Sequence, residues 1–510
     1  HQLTHSLLIV TDNGFHASQL VDDLTSLLDE DQVFLFPAEE MIATEVATSS
    51  PESRAQRVQA LNALLRDSPA VIVTSVAGAR RFLPPVAQFQ AATLPVAVGQ
   101  DIDLEDLQRQ LHDMGYVKEK LVARPGDFAV RGSIVDIYPL DADYPLRLDF
   151  FDTEVDTLKY FDPGTQRSVE NLDEYTILPA TDFILTTAML QAGAQRLKTA
   201  IAAESKKLKP AERQTLADNL AQPLADMEKG IIGNDLLLYG DYLYDRKTSI
   251  FDYVAADGLV IFEEYSRLLD SEQQLLTQEA DWVTDQLAHH RVLATASYGN
   301  DIRDLLRDDQ HAQLLISLFQ KGIGNVKLAQ VTNVRTRPMQ EFFGQLPALK
   351  TELDRWHKLK QTVVLMVSEA ERLTKVSDTL DDFEIEAVMT KATNLQPGAV
   401  QIVQGSLQNG FEFPDGKLVI VTEQEMFKKV AKKRPRRQTL ANAERLKSYT
   451  DLKPGDYVVH VNHGIGKYVG METLEVDGVH QDYITIAYQN NAKIFIPVTQ
   501  LNLVQKYVSS

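Results

Sequence analysis

Short apolar runs alternate with amphipathic helical patterns along the first hundred residues, and this alternation limits the folds open to the chain. The runs at 7–10, 33–36 and 70–75 suit buried strands, and segments 17–28 and 51–65 carry apolar residues at helical spacing. Apolar strands separated by helices form parallel sheets that are covered on both faces. The sequence therefore predicts an α/β domain at the start of the chain.

Composition excludes several classes of protein. The 510 residues suffice for three to five domains, at roughly 100–200 residues per domain. Because the chain has no cysteine, it has no disulfide framework, thiolate metal site or cysteine nucleophile. We expect no membrane-spanning helix, since no run of about 18 apolar residues occurs. The net charge of −21 argues against nucleic-acid binding along the whole surface but allows a local basic patch.

The start of the chain carries neither the basic segment nor the cleavage site of a signal peptide. It also lacks an initiator methionine and runs directly into a strand-like segment. We therefore expect the chain to begin inside a domain.

The pattern changes near residue 101. A helix is predicted over 102–116, and strands are predicted over 128–139, 144–152 and 155–161. Since no helix separates these strands, they are expected to pair antiparallel, as a small α+β insertion. Along 146–151, period-two geometry places Leu146, Leu148 and Phe150 on the face that packs the helix. Arg147, Asp149 and Phe151 then point to the open face.

Two further α-rich or α/β stretches follow. Residues 185–320 are predicted to be mainly helical, with strand-like runs at 250–254 and 259–262. Residues 328–427 repeat the strand–helix alternation, with apolar runs at 362–367, 399–403 and 418–421. We interpret this stretch as a second, compact α/β domain.

The clearest break in the sequence is a basic segment. Residues 428–447 hold nine basic residues and one acidic residue, a net charge of +8. A solvated linker is the default interpretation, and contact with nucleic acid or another anionic partner is the alternative. After residue 449, several short strands punctuated by glycine, among them 466–470 and 473–476, predict a small closed β-barrel.

No catalytic constellation is visible. A phosphate-binding loop needs Gly-x4-Gly-Lys-Ser/Thr, and the chain's two Gly-Lys pairs lack the hydroxyl residue and the upstream glycine. The strand before Glu263-Glu264 suits either an acidic metal site or a capped buried strand, and the missing loop favours the strand. His460-x-x-His463 lacks a third ligand nearby, so a turn is favoured over a metal site.

Two blocks of sequence resemble known domains. Gly126 to Pro139, Leu146 to Phe151 and Phe161 to Ser168 resemble the second domain of the excision-repair protein UvrB, which docks onto the damage sensor UvrA. Leu452 to His460, His463 to Gly466 and Ile496-Pro497-Val498 resemble the RNA-polymerase-interacting domain of CarD-type transcription regulators. One family joins both, and the chain is identified as resembling the amino-terminal portion of bacterial transcription-repair coupling factors, the Mfd family.

The resemblance implies a multidomain α/β and α+β fold. The implied fold consists of three parts: a degenerate, UvrB-like module related to P-loop NTPases, a flavodoxin-like or similar α/β domain, and a small SH3/Tudor-like barrel. The implied boundaries are 1–100 with 186–327 for UvrB-like domain 1, 101–185 for the UvrA-binding domain 2, 328–427 for domain 3, 428–449 for the basic linker and 450–510 for the polymerase-interacting domain.

The resemblance also implies what the chain does. It would be an adaptor that recruits UvrA and binds the β subunit of RNA polymerase, coupling removal of stalled polymerase to nucleotide excision repair. In the family, two motor domains follow and use ATP to translocate on double-stranded DNA. This chain ends before them, so we expect no catalysis, no ATP or Mg²⁺, and a cytoplasmic monomer without membrane contact.

The expected contacts are specific. Arg131, Arg147 and Phe151 match the family's UvrA contacts, the alternative being that both arginines form surface salt bridges and Phe151 is core. The residues matched to polymerase binding are Met471, Glu472, Thr473 and Leu474, with a core position for Leu474 as the alternative. The residues that would touch DNA from the linker are Lys432, Lys433, Arg434, Arg436 and Arg437.

Two other functions remain open at this point. A UvrB-like ATPase acting on damaged DNA would need a phosphate loop, which is not visible. A CarD-like transcription regulator would use only the last sixty residues and leave the block at 128–168 unexplained.

Overall fold

The computed structural model describes residues 3–39, 51–231, 234–244, 247–319, 326–427, 455–460, 464–476, 479–487, 493–497 and 504–506. The chain divides into two compact units, His1–Arg434 and Pro435–Ser510. Within the described ranges, no helix combines the length and the apolar character that crossing a bilayer requires.

Helices and strands together account for most of the described residues. The strands, in chain order, are β1 (Leu7–Thr11), β2 (Val33–Phe36), β3 (Val71–Ser75), β4 (Leu94–Ala97), β5 (Val117–Lys118), β6 (Asp127–Arg131), β7 (Ile134–Ile137), β8 (Leu146–Phe151), β9 (Glu154–Phe161), β10 (Ser168–Leu172), β11 (Glu174–Ile177), β12 (Leu259–Glu263), β13 (Ala312–Ile316), β14 (Arg337–Pro338), β15 (Thr362–Val367), β16 (Val388–Thr390), β17 (Val400–Gln404), β18 (Phe411–Phe413), β19 (Leu418–Thr422), β20 (Tyr457–His460), β21 (Gly464–Val476), β22 (Val479–Ala487), β23 (Lys493–Pro497) and β24 (Val504–Lys506). The α-helices are Gly14–Thr25, Pro51–Leu64, Val76–Arg80, Val86–Ala91, Leu104–Asp113, Thr187–Ser205, Pro210–Lys229, Gly240–Leu243, Tyr265–Ala288, Ile302–Asp308, Leu346–Lys358, Ala370–Asp381 and Glu423–Met426.

The first sheet has the strand order β13-β12-β1-β3-β2, and all its pairs are parallel. Leu8 and Ile72 are fully buried in the core on one face, and Ile9 and Val73 pack with the helix Gly14–Thr25 on the other. The predicted parallel α/β domain is confirmed. The prediction of a strand at 250–254 was wrong. Ile250–Tyr253 forms a 3-10 helix, with a capping box from Ser249 and Asp252.

The second sheet has the order β10-β9-β8-β7-β6-β5 and is antiparallel except at the β5–β6 edge. The helix Leu104–Asp113, capped by Asp103, buries Leu107 and Leu111 against this sheet. The predicted single strand over 128–139 was wrong. Gly132, at φ +63°, and Ser133 turn the chain between β6 and β7, since glycine adopts the left-handed backbone without strain.

Two helices, Thr187–Ser205 and Pro210–Lys229, pack on one another and form a further core with Leu236 and Leu243. Pro210 fits the first turn of the second helix, where no backbone N–H is needed, and Gly230 ends that helix in the left-handed conformation. The predicted helical character of this stretch is confirmed.

The third sheet has the order β14-β18-β19-β15-β17-β16, with a parallel centre. Its central strand β15 runs between β19 and β17, and Val363 and Leu365 in it are fully buried. Trp356, on the helix Leu346–Lys358, packs into the same core. The predicted alternation of strands and helices over 328–427 is confirmed.

The second unit contains an antiparallel sheet in the order β23-β22-β21-β20-β24. Segments 466–470 and 473–476, predicted as separate strands, form the single strand β21. Its pairing with β22 shifts register between Tyr468 and Gly470, which marks a bulge rather than a strand end.

One ion cluster connects the module that contains the second sheet, residues 94–183, with the domain that contains the first sheet. Asp182, which follows β11, is 1% exposed and lies 3.0 Å from Nε of Arg57 and 2.7 Å from Nε of Arg81. Burial by itself raises the pKa of Asp182, but the two guanidiniums outweigh that effect and hold the pKa well below its usual range. We call these three residues the junction cluster.

Candidate docking surfaces

The first candidate surface lies on the open face of the second sheet. Strand β8 alternates as predicted, with Leu146, Leu148 and Phe150 buried beneath the sheet. Phe151 lies on the other face, and 78% of its surface is exposed. Because burial of a large apolar side chain is worth about 1.5–3 kcal/mol, an aromatic ring left in water marks a surface suited to a partner.

Asp136 is the centre of this surface. The register of β7 and β8 places Asp136 directly opposite Arg147. Nε of Arg147 donates to Oδ1 of Asp136 at 2.7 Å, and Nη2 donates to Oδ2 at 2.8 Å. Nη2 of Arg131, at the end of β6, donates to the same Oδ2 at 2.6 Å. One carboxylate therefore holds two guanidiniums, and we call Asp136, Arg131 and Arg147 the surface cluster.

Further contacts fix the orientation of Arg147. Its Nη2 also donates to Oε1 of Gln166 at 2.7 Å, and its guanidinium lies 4.0 Å from the ring centroid of Phe161. The hydrogen bonds to Asp136 raise the pKa of Arg147 above its ordinary value. The ring that contacts the guanidinium is thus that of buried Phe161, and Phe151 remains available on the surface.

Arg131 is held less completely than Arg147. In the described part of the chain, Arg131 donates one hydrogen bond, and 40% of its side chain is exposed, against 12% for Arg147. Guanidinium carries five N–H donors, so Arg131 has donors beyond the one that Asp136 accepts from. The surface cluster therefore offers donors to an external acceptor mainly through Arg131.

A second acidic residue on the same face is neutralised locally. Asp149 accepts hydrogen bonds from Nζ of Lys159 at 2.5 Å and from Oγ1 of Thr157 at 2.7 Å. Partial burial raises the pKa of Asp149, but these bonds more than offset that effect, so its pKa lies below the usual value. This pair adds no net charge to the face.

The sequence-predicted residues Arg131, Arg147 and Phe151 share one face of the sheet. Register connects Arg131 to Ile134 and Ile134 to Asp149, and side chains opposite one another on neighbouring strands point the same way. The exposure of Phe151 rules out a core position for it, whereas both arginines do form ion pairs. Sequence reasoning missed Asp136, Gln166 and Phe161.

The second candidate surface lies in the second unit. Glu472, Thr473 and Leu474 lie in β21, where Leu474 pairs with Gln481 of β22, and 42% of the nearby Met471 is exposed. Within the described part of β21, strand β20 pairs with Gly464–Lys467, and β24 lies on the other side of β20. Among the strands that the structure describes, none pairs with the other side of 471–476, so this half of β21 is a sheet edge.

Some sequence-predicted residues lie outside the described ranges. These are His463 and the linker residues Lys432, Lys433, Arg434, Arg436 and Arg437. In the part of the chain that is described, no group of three or more His, Asp or Glu side chains is placed to hold a metal ion.

A cleft of about 530 Å³ opens at the carboxyl ends of β1 and β3. In this fold class, such ends are the usual place for a nucleotide. Here the turn carries Asp12, whose Oδ1 lies 2.5 Å from Nδ1 of His16, and Asp270 also lines the cleft. Burial, reinforced by Asp12, raises the pKa of nearby Glu263. Two carboxylates and the guanidinium of Arg267 thus line the cleft, and the turn after β1 lacks the Gly-x4-Gly-Lys-Ser/Thr sequence that binds phosphate.

Known proteins align with these features. Residues 94–183, which carry the surface cluster, match the family model of the UvrB interaction domain. Residues 452–508 match the CarD-like/TRCF RID domain. The transcription-repair-coupling factor of Bacillus subtilis (strain 168) is 39% identical over 506 residues, which cover 99% of this chain and 43% of that protein.

The chain corresponds to an amino-terminal portion of a transcription-repair-coupling factor. The factors of Staphylococcus haemolyticus (strain JCSC1435) and Staphylococcus aureus (strain MRSA252) are 33% and 31% identical, over 99% and 100% of the chain. The chain spans 43–44% of the length of these transcription-repair-coupling factors.

Proposed function

We propose that this chain is the adaptor portion of a transcription-repair-coupling factor, which recruits UvrA and binds the β subunit of RNA polymerase. The observation that carries the proposal is the pairing of two interaction domains, matched at 94–183 and 452–508, on one polypeptide. Joining the two contacts covalently raises the effective concentration of the repair protein at the polymerase. The chain would thereby couple removal of stalled polymerase to nucleotide excision repair.

The UvrA contact would use Arg131, Arg147 and Phe151. Exposed Phe151 supplies an apolar anchor, and the guanidiniums beside it supply charge, a combination that is common at binding hot spots. Truncating such residues often costs about 2 kcal/mol or more of binding free energy.

The polymerase contact would use the sheet edge at 471–474. An extended segment of the β subunit would add a strand to β21, with backbone hydrogen bonds for affinity and side chains such as Leu474 for specificity. We further propose that the second unit's sheet closes as an SH3/Tudor-like barrel, which would leave this stretch as its main free edge.

The first α/β domain would be a degenerate relative of P-loop NTPases. The absence of a phosphate loop from the sequence supports a chain that binds no ATP or Mg²⁺. ATP-driven translocation on DNA would reside in the remaining length of the factor, and the basic linker would either touch DNA or span domains. The α/β domain at 328–427 would be flavodoxin-like or similar, and the chain would act as a cytoplasmic monomer.

Separate and joint titrations test the proposal. Purified UvrA and a fragment of the polymerase β subunit are each titrated calorimetrically into the full chain, and then one is titrated in the presence of the other. We expect both to bind and to bind together, because the two predicted surfaces share no residue. ATP turnover by the chain in the presence of DNA would favour the UvrB-like ATPase, and binding of the β fragment alone would favour the CarD-like regulator.

Variants assign the two surfaces. Phe151→Ser should abolish UvrA binding, whereas Leu121→Ser, which also changes an exposed apolar residue of the same domain, should leave it intact. Leu474→Arg should abolish binding of the β fragment and leave UvrA binding unchanged. Loss of the folded circular-dichroism signal in Leu474→Arg would instead assign Leu474 to the core.

A further inference from the structure

We propose that Asp136 is the positioning residue of the UvrA-facing surface: it fixes both guanidiniums of the surface cluster and leaves one net positive charge for a carboxylate of the partner. This inference rests on the proposed function and extends it to a residue outside the contact itself. It also names the chemistry that the partner must supply.

Burial separates Asp136 from any partner. The Asp136 side chain is 1% exposed, against 12% for Arg147 and 40% for Arg131. A protein docking on this face therefore meets the guanidiniums and not the carboxylate. Any effect of Asp136 on binding must pass through the two arginines.

The geometry of the cluster is that of a preformed site. Arg147 meets both oxygens of Asp136 through Nε and Nη2, the two-pronged arrangement that fixes the guanidinium plane as well as its position. Arg131 shares Oδ2, which draws the second guanidinium to the first despite their like charges. Side chains ordered before binding lose less conformational entropy on docking, and this increases affinity.

The charge of the cluster selects the partner group. One carboxylate neutralises one of two guanidiniums, and the adjacent Lys159–Asp149 pair is balanced. The cluster itself keeps one positive charge, carried mainly by half-exposed Arg131, with exposed Phe151 on the same face and exposed Glu154 opposite Phe151 on β9. The complementary partner surface is a carboxylate side chain beside an apolar one.

Calorimetric titration of UvrA into Asp136→Asn tests the inference. Asparagine keeps the size of the side chain but removes the charge and the second acceptor oxygen, so we expect affinity to fall by about tenfold or more. Asp127→Asn is the matched control, because Asp127 is a buried aspartate of the same domain that accepts from the backbone N–H groups of Ala123 and Arg124. That control should bind UvrA as the unmodified chain does.

A combined variant distinguishes positioning from general structural damage. If Asp136 acts through the arginines, adding Asp136→Asn to Arg131→Gln and Arg147→Gln should weaken binding no further than the two arginine changes alone. A fully additive loss would overturn the inference. Unchanged affinity of Asp136→Asn, with the unmodified chain binding UvrA, would also overturn it while leaving the proposed function standing.

If Asp136→Asn folds poorly, the UvrA affinity of Arg147→Lys tests the same inference. Lysine keeps the positive charge but cannot form the two-pronged contact, so affinity should again fall by about tenfold. Affinity equal to that of the unmodified chain would contradict the positioning role. Absence of UvrA binding by the unmodified chain would overturn the proposed function and this inference together.

Discussion

The junction cluster and the surface cluster use the same three charges in different surroundings. In each, one aspartate that is 1% exposed meets two arginines. At the junction both arginines are enclosed, with 1% of Arg57 and 11% of Arg81 exposed. On the surface, 40% of Arg131 is open to solvent. The comparison teaches that enclosure, rather than composition, decides whether such a cluster stabilises the fold or remains available for binding.

The largest effect is expected from Asp182→Ala. Removing the carboxylate leaves two enclosed guanidiniums without their counter-charge, and breaking a buried ion pair from one side costs about 3–5 kcal/mol. Urea unfolding measures the loss. The control is Asp173→Ala. Asp173 is exposed, and its contact with Val98 is made by its backbone carbonyl, which alanine retains. This change should alter the free energy of unfolding by less than about 0.5 kcal/mol. Equal stability of the two variants would contradict the structural role of the junction cluster.

A smaller effect is expected from acid. Because the pKa of Asp182 in the folded chain is lower than in the unfolded chain, its stabilisation is complete above the unfolded pKa of about 3.9 and is lost as pH falls further. Below about pH 4 this residue should lower the free energy of unfolding by about 1.4 kcal/mol per pH unit. Urea unfolding of the chain and of Asp182→Asn at several acidic pH values compares the slopes. Identical slopes would show that other groups control acid stability.

The smallest effect on folding is expected from Arg131→Ala. Arg131 is 40% exposed, and its buried partner Asp136 keeps the two-pronged contact with Arg147, so the free energy of unfolding should change by about 1 kcal/mol or less. UvrA affinity, by contrast, should fall strongly, since Arg131 carries the open donors of the surface cluster. If Arg131→Ala lowered stability but kept its affinity for UvrA, the surface cluster would act in folding and not in binding, contrary to this comparison.

Sequence periodicity was sufficient for the elements that bury one face. The alternation along 146–151 predicted which side chains of β8 meet the helix and which remain open. Apolar runs such as 7–10 and 362–367 likewise predicted buried parallel strands. These predictions succeed because burial of alternate or continuous apolar residues leaves a direct trace in the order of residues.

The clusters left no such trace. Asp136 is one aspartate among many, and its role depends on the register of β7 with β8, which sets it opposite Arg147, and on the turn at Gly132, which joins β6 to β7. Asp182 meets Arg81 and Arg57 across separations of 101 and 125 residues. Contacts between residues so far apart in the chain cannot be identified from a single sequence, so both clusters were found only in the structure.

The strands β4 and β11 have one further consequence. They pair antiparallel, with Leu94 opposite Ile177 and Ala97 opposite Glu174, so the chain enters and leaves the second sheet's module at the same place. Paired Cα atoms are about 5 Å apart, a gap that a short host loop can accommodate. The module can therefore be inserted into a loop of an unrelated host protein. The inserted module would contain the surface cluster but not Arg57 and Arg81, the arginine partners of Asp182.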